Sequence, residues 1–129
     1  MNDMTNEILE YMNLKLKELL PYQYYEWSTK VVYPYWIGEY SEIPSNAEDG
    51  FGEDTMMITG TTKGSVIDLE NGKEILRKAF STIKGYHAVL DSGTHILVFY
   101  DTATSIPTDG NDIKRLQVNL QIKSWKVNE

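Results

Sequence analysis

Leu116-Gln117-Val118-Asn119-Leu120-Gln121-Ile122-Lys123 alternates between aliphatic and polar side chains without a break. Successive side chains of an extended chain point to opposite faces, so this run reads as a strand with one face in a core. The turn signal Asp109-Gly110 precedes it, and a strand rich in apolar residues, His95 to Thr102, comes before that turn. The two long strands are therefore expected to lie close together in one sheet. At Ser124 the aliphatic phase fails while Trp125 and Val127 take the other phase, which predicts a bulge or a strand end.

Working toward the N-terminus, residues 86–90 predict a short strand and Asp91-Ser92-Gly93 a turn. Ser65 with Asp68 resembles a capping pair at a helix start, and Leu69, Gly72, Leu76, Ala79 and Phe80 follow at helical spacing. Glycine in a helix interior costs about 1 kcal/mol relative to alanine. Gly72 on the apolar side therefore predicts that this helix lies close against a sheet. The polar side carries Glu70, Lys73, Glu74, Arg77 and Lys78, with attractive Glu70-Lys73 and Glu74-Lys78 spacings. Residues 55–62 predict a strand with Met56 and Ile58 on one face, and Gly60 marks a bulge or a close approach of backbone.

Residues 39–54 hold Glu39, Glu42, Glu48, Asp49, Glu53 and Asp54 with no base among them, punctuated by Pro44, Gly50 and Gly52. They predict a hairpin loop of about ten residues, a length uncommon unless the loop has a role. It reads either as a solvated tip or as an ordered arm between subunits, with Glu48, Asp49, Phe51, Glu53 and Asp54 as its candidate contacts. Residues 22–40 are crowded with Tyr and Trp, and two strands are expected there, at 24–28 and 35–42, with Pro34 as a turn or edge position. Tyr24, Tyr25 and Trp27 either pack on the sheet or line a binding surface. Ile8, Met12, Leu16 and Leu19 predict a first helix from Thr5, a candidate N-cap, to Leu20, which Pro21 stops.

The element order predicts one α+β domain spanning residues 1–129, with a mostly antiparallel or mixed sheet of about four to five strands and two helices on one face. The net charge of −7 and the absence of any basic cluster disfavour phosphate binding, so no nucleic-acid partner is expected. With no Cys, disulfides and thiolate metal sites are excluded. The opening MNDMTNEILE carries acids and no base, unlike a secretory signal, and the longest apolar run, 96–100, is far shorter than the roughly 20 residues of a membrane span.

Sites of chemistry are not expected either. His87, Asp91 and His95 share a four-residue spacing, but Ser92-Gly93 breaks any helix that would align them, so the histidines are placed in a turn and at a strand start. Residues 48–54 lack the acid spacing of a calcium loop. Ser92 lacks the flanking glycines of a nucleophile elbow, and Gly50-Phe51-Gly52 is too short for a dinucleotide fingerprint. No cofactor, no metal and no enzymatic activity are expected.

Several pieces, taken in order, resemble the tail-terminator or tail-completion family of long-tailed bacteriophages and prophages. They are Pro34-Tyr35-Trp36-Ile37-Gly38-Glu39, Pro44, Gly52-Glu53, the Thr/Met strand 55–61, Gly64-Ser65, the strand 96–101, Asp109-Gly110 and the strand 115–122. The family often has an aromatic with a nearby base before its long helix, where this chain has Ile58-Thr59-Gly60-Thr61-Thr62-Lys63. The resemblance implies a virion protein, assembled in the bacterial cytoplasm, that forms a homo-hexameric ring. Such a ring caps the tail tube protein and presents the tail to the head-closure or connector protein, with no membrane partner. Another phage neck protein and a non-virion bacterial binding module remain the alternatives.

Overall fold

The computed structural model describes residues 3–43, 52–108, 110 and 112–126. Helix α1 (Asp3–Leu19) leads into β1 (Tyr22–Tyr24), β2 (Tyr35–Ile43) and β3 (Gly52–Lys63). Helix α2 (Ile67–Ala79) follows, then β4 (Tyr86–Val89), β5 (Thr94–Ile106) and β6 (Ile113–Lys126). The strands form one sheet in the order β1-β2-β3-β6-β5-β4, so the alternating strand β6 lies between β3 and β5. Among the described residues the sheet has six strands rather than the expected four to five. It is mixed, because β1 runs parallel to β2 while every other neighbouring pair is antiparallel.

The register explains which side chains meet. Met56 and Ile58 of β3 lie opposite Leu120 and Val118 of β6, and Ile122 and Leu120 lie opposite Val98 and Tyr100 of β5. These residues share one face and are buried. Both helices reach that same face. Phe80, at the end of α2, meets Tyr86 edge-on, and the Tyr11 hydroxyl of α1 hydrogen-bonds the Tyr86 hydroxyl at 2.8 Å. Ile8, Met12, Leu16, Leu69 and Leu76 supply the helix side of a single buried cluster.

Trp36 sits at the centre of the helix-to-sheet contact. It faces Gly60 across the β2–β3 pair, and a Cβ on Gly60 would lie 2.6 Å from the indole. A Cβ on Gly72 of α2 would lie 2.3 Å from the same ring. The close approaches expected at both glycines are thus made to one side chain, which is 1% exposed. Gly38 of β2 accommodates Tyr22 in the same manner, and the Tyr22 hydroxyl donates to Asn13 Oδ1 at 2.6 Å.

Several local expectations are corrected. The strand expected at 24–28 is Tyr22–Tyr24 instead, because Tyr25 takes a left-handed φ of 73° that ends it. Helix α1 begins before Thr5, at Asp3. Helix α2 begins after Val66, and Ser65 Oγ accepts the Ile67 amide at 3.1 Å in place of a paired cap with Asp68. No bulge occurs at Ser124. It keeps the inward phase at 1% exposure, and the irregularity lies in β5 between Tyr100 and Thr102. Glu74 pairs with Arg77 at 2.6 Å rather than with Lys78, while Glu70 pairs with Lys73 as expected.

Gly72→Ala separates the two forces acting at α2. Helix propensity alone would stabilise by about 1 kcal/mol, whereas crowding a packed core costs typically 1–3 kcal/mol. The 2.3 Å contact decides for crowding, so urea denaturation is expected to show a net loss of stability. Leu120→Ala, at a fully buried position, is expected to cost about 2–5 kcal/mol in the same measurement.

Candidate functional site

The aromatic segment between β1 and β2 is an ordered loop. Gln23 holds it, with Oε1 accepting the Ser28 amide at 3.0 Å and the Ser28 hydroxyl at 2.9 Å, and Nε2 donating to Thr29 Oγ1 at 2.9 Å. Trp27 Nε1 donates to the Lys30 carbonyl at 3.3 Å, and its ring lies 5.2 Å from that of Tyr35. The candidate aromatics therefore separate. Tyr24 packs against the core, Trp27 is half-buried under its own loop, and Tyr25 is 74% exposed. Beyond them Val31, Val32 and Tyr33 are also exposed.

The acidic candidates separate as well. Glu53 is exposed at the start of β3, opposite Ile43 on one side and Lys123 on the other. Asp54 does not lie in a solvated loop as the sequence suggested. It is a β3 residue, 5% exposed, that accepts the Tyr40 hydroxyl. A carboxylate removed from water needs such a donor, and the alternation of β3 puts Asp54 on the same face as Met56 and Ile58, opposite Ile122. Glu48, Asp49 and Phe51 lie outside the described residues.

The sheet face opposite the helices is covered by no described element. It carries Ile37, Met57, Leu97, Phe99 and Trp125, all half-buried, with the uncharged Gln117, Asn119 and Gln121 between them. Lys123 lays its ammonium 5.6 Å from the Phe99 ring centre, so its charge borders an apolar patch. At one side of the face His87 Nε2 and His95 Nδ1 are 2.9 Å apart. Their planes lie within 15° and their centroids 5.2 Å apart, about the greatest separation such a contact allows, so the two imidazoles meet edge to edge in line. Trp125 lies parallel beside them.

His87 lies in β4, within the short strand expected at 86–90, rather than in a turn, and His95 lies near the start of β5 as expected. Helical spacing does not bring the two histidines together, whereas the tight hairpin that pairs β4 with β5 does. No group of three or more His, Asp or Glu able to hold a metal gathers among the described residues. No described helix is long and apolar enough to cross a membrane. No protein-family model matches the chain, and no curated protein matches it.

Burial raises the Tyr22 hydroxyl pKa above its ordinary value, and burial together with the Asp54 contact raises that of Tyr40. A raised acid pKa stabilises the fold fully below the unfolded value near 10. Above about pH 10 the unfolded tyrosine ionises while the folded one stays protonated, so stability falls by about 1.4 kcal/mol per pH unit for each such residue. Urea midpoints are expected to drop between about pH 9 and pH 11, and Tyr22→Phe should shallow that drop relative to its own value at pH 8. An unchanged slope in Tyr22→Phe would remove Tyr22 from the explanation.

Proposed function

We propose that the chain is a structural subunit of a long-tailed bacteriophage, assembling as a homo-hexameric ring that caps the tail tube and meets the head-closure or connector protein. The observation that carries an assembly role is the broad sheet face that no described element covers. A small domain that leaves aliphatic and aromatic side chains half-exposed across a sheet has a surface suited to a protein neighbour. The ordered pieces from Pro34-Tyr35-Trp36-Ile37-Gly38-Glu39 to the strand residues 115–122 favour tail completion among such assemblies. The charge of −7 suits a ring through which DNA passes, because like charge prevents phosphate groups from adhering to its wall.

On this reading function resides in interfaces, with self, tail tube and connector as partners, and no reaction is catalysed. Light scattering of the purified protein is expected to find a species of six chain masses. Electron microscopy with tail tubes added should show capped tube ends. A strict monomer at high concentration that leaves tube ends bare would overturn the proposal.

A further inference from the structure

The two ends of the sheet differ in a complementary manner. At one end β4 is an edge strand, and its outer side pairs with no described strand. Helix α1 runs beside it, joined by the Tyr11–Tyr86 hydroxyl contact, and the two elements enclose adjoining concavities of ≈ 350 and ≈ 300 Å³ that share Tyr11 and Leu14. Leu14 is 61% exposed and stands open at this groove, and Val89, 56% exposed, borders it from the end of β4 with its side chain alternating toward the opposite sheet face, so a strand added here meets one on each side. Glu10 and Glu18 flank Leu14 one turn before and after it, while Lys15 in the same concavity lays its ammonium 5.0 Å from the Tyr86 ring centre, so the rim is acidic on balance. The stripe from Glu10 to Glu18 is about 12 Å long on a helix, close to the roughly 13 Å of a four-residue strand.

At the other end lies the loop between β1 and β2. Its residues 30–33, Lys-Val-Val-Tyr, place a cation beside three apolar side chains of strong β preference. Val31, Val32 and Tyr33 are 45%, 64% and 42% exposed. The Gln23 hydrogen bonds hold the preceding residues, so little ordering entropy remains to be lost on docking.

We propose that copies of this chain join head to tail, with residues 30–33 of one copy laid along the free edge of β4 in the next, in the groove between α1 and β4. Strand addition supplies main-chain hydrogen bonds, Val32 and its neighbours cover Leu14 and Val89, and Lys30 meets the Glu10 and Glu18 rim. The two surfaces lie at opposite ends of a sheet roughly 24 Å wide. The contact is therefore heterologous, and it generates a ring when its rotation closes. This deepens the ring reading given above and rests on it.

The natural chain has no Cys, so the double variant Leu14→Cys/Val32→Cys carries the only thiols. A short bis-maleimide reagent is expected to link it into a ladder of multimers on a denaturing gel, whereas Leu14→Cys and Val32→Cys alone are expected to stay unlinked. The blocked variants Leu14→Asp and Val32→Asp, checked for fold by circular dichroism, should each fail to assemble yet give a dimer when mixed. Each supplies the surface that the other has lost. The proposal is overturned if the folded double variant gives no ladder, or if either single variant cross-links as well, which would mean groove-to-groove or loop-to-loop pairing. It is equally overturned if mixing the blocked variants gives no dimer. Rings seen by electron microscopy without a ladder would retain the ring reading and remove this contact. A ladder without tail capping would do the reverse.

Discussion

The packing of Trp36 against two glycines is the constraint on which the rest of the fold depends. The indole rises from β2, fills the space over Gly60 of β3 and stops against Gly72 of α2. It is among the largest fully buried side chains in the described protein. Burying an aromatic of this size contributes on the order of 1.5–3 kcal/mol or more, yet it requires absent side chains on both neighbours. The helix gives up intrinsic propensity at Gly72, and the strand gives up side-chain packing at Gly60, so that one ring can join three elements.

That single contact also decides where the helices lie. With α2 lying over β3, β6 and β5 and met by the Trp36 ring from β2, its C-terminal Phe80 reaches Tyr86 at the far edge, and the Phe80 carbonyl accepts the Tyr100 amide at 3.0 Å. Helix α1 comes to the same face through Tyr22, whose ring occupies the space over Gly38. Two aromatic-over-glycine contacts thus assign both helices to one side. The other side of the sheet is left to Ile37, Met57, Leu97, Phe99 and Trp125, separated by amides and threonines rather than by a uniform row of charges. The asymmetry bears on function, since a sheet face with this composition suits a protein neighbour better than bulk water.

The edges follow a related logic. A long bare edge invites uncontrolled pairing, and both terminal strands here are short, β1 with three residues and β4 with four. Tyr25 limits β1 by turning left-handed, and the turn around Gly93 limits β4. Each short edge has its own companion, an ordered loop for β1 and an acid-rimmed helix for β4. The two ends of the sheet consequently offer different surfaces, which is the condition for directional self-assembly.

Periodicity alone was enough to identify β6 as a half-buried strand, the apolar side of α2 and the shared face of Met56 and Ile58, because each pattern reports a local repeat that any partner must respect. The glycines at 60 and 72 also announced close contacts from their cost. What they touched was not legible, since Trp36 lies far from both along the chain and only the β2–β3 register and the path of α2 unite them. Composition identified Asp54 as one of a cluster of loop acids, but the extension of β3 back to Gly52 put it on the inner face, in phase with Met56 and beside Tyr40. The six-strand count, the insertion of β6 between β3 and β5, and the in-line contact of His87 with His95 likewise required tertiary structure. Local repeats determine what a segment is. Which segments become neighbours depends on long-range pairing, for which a sequence pattern holds no address.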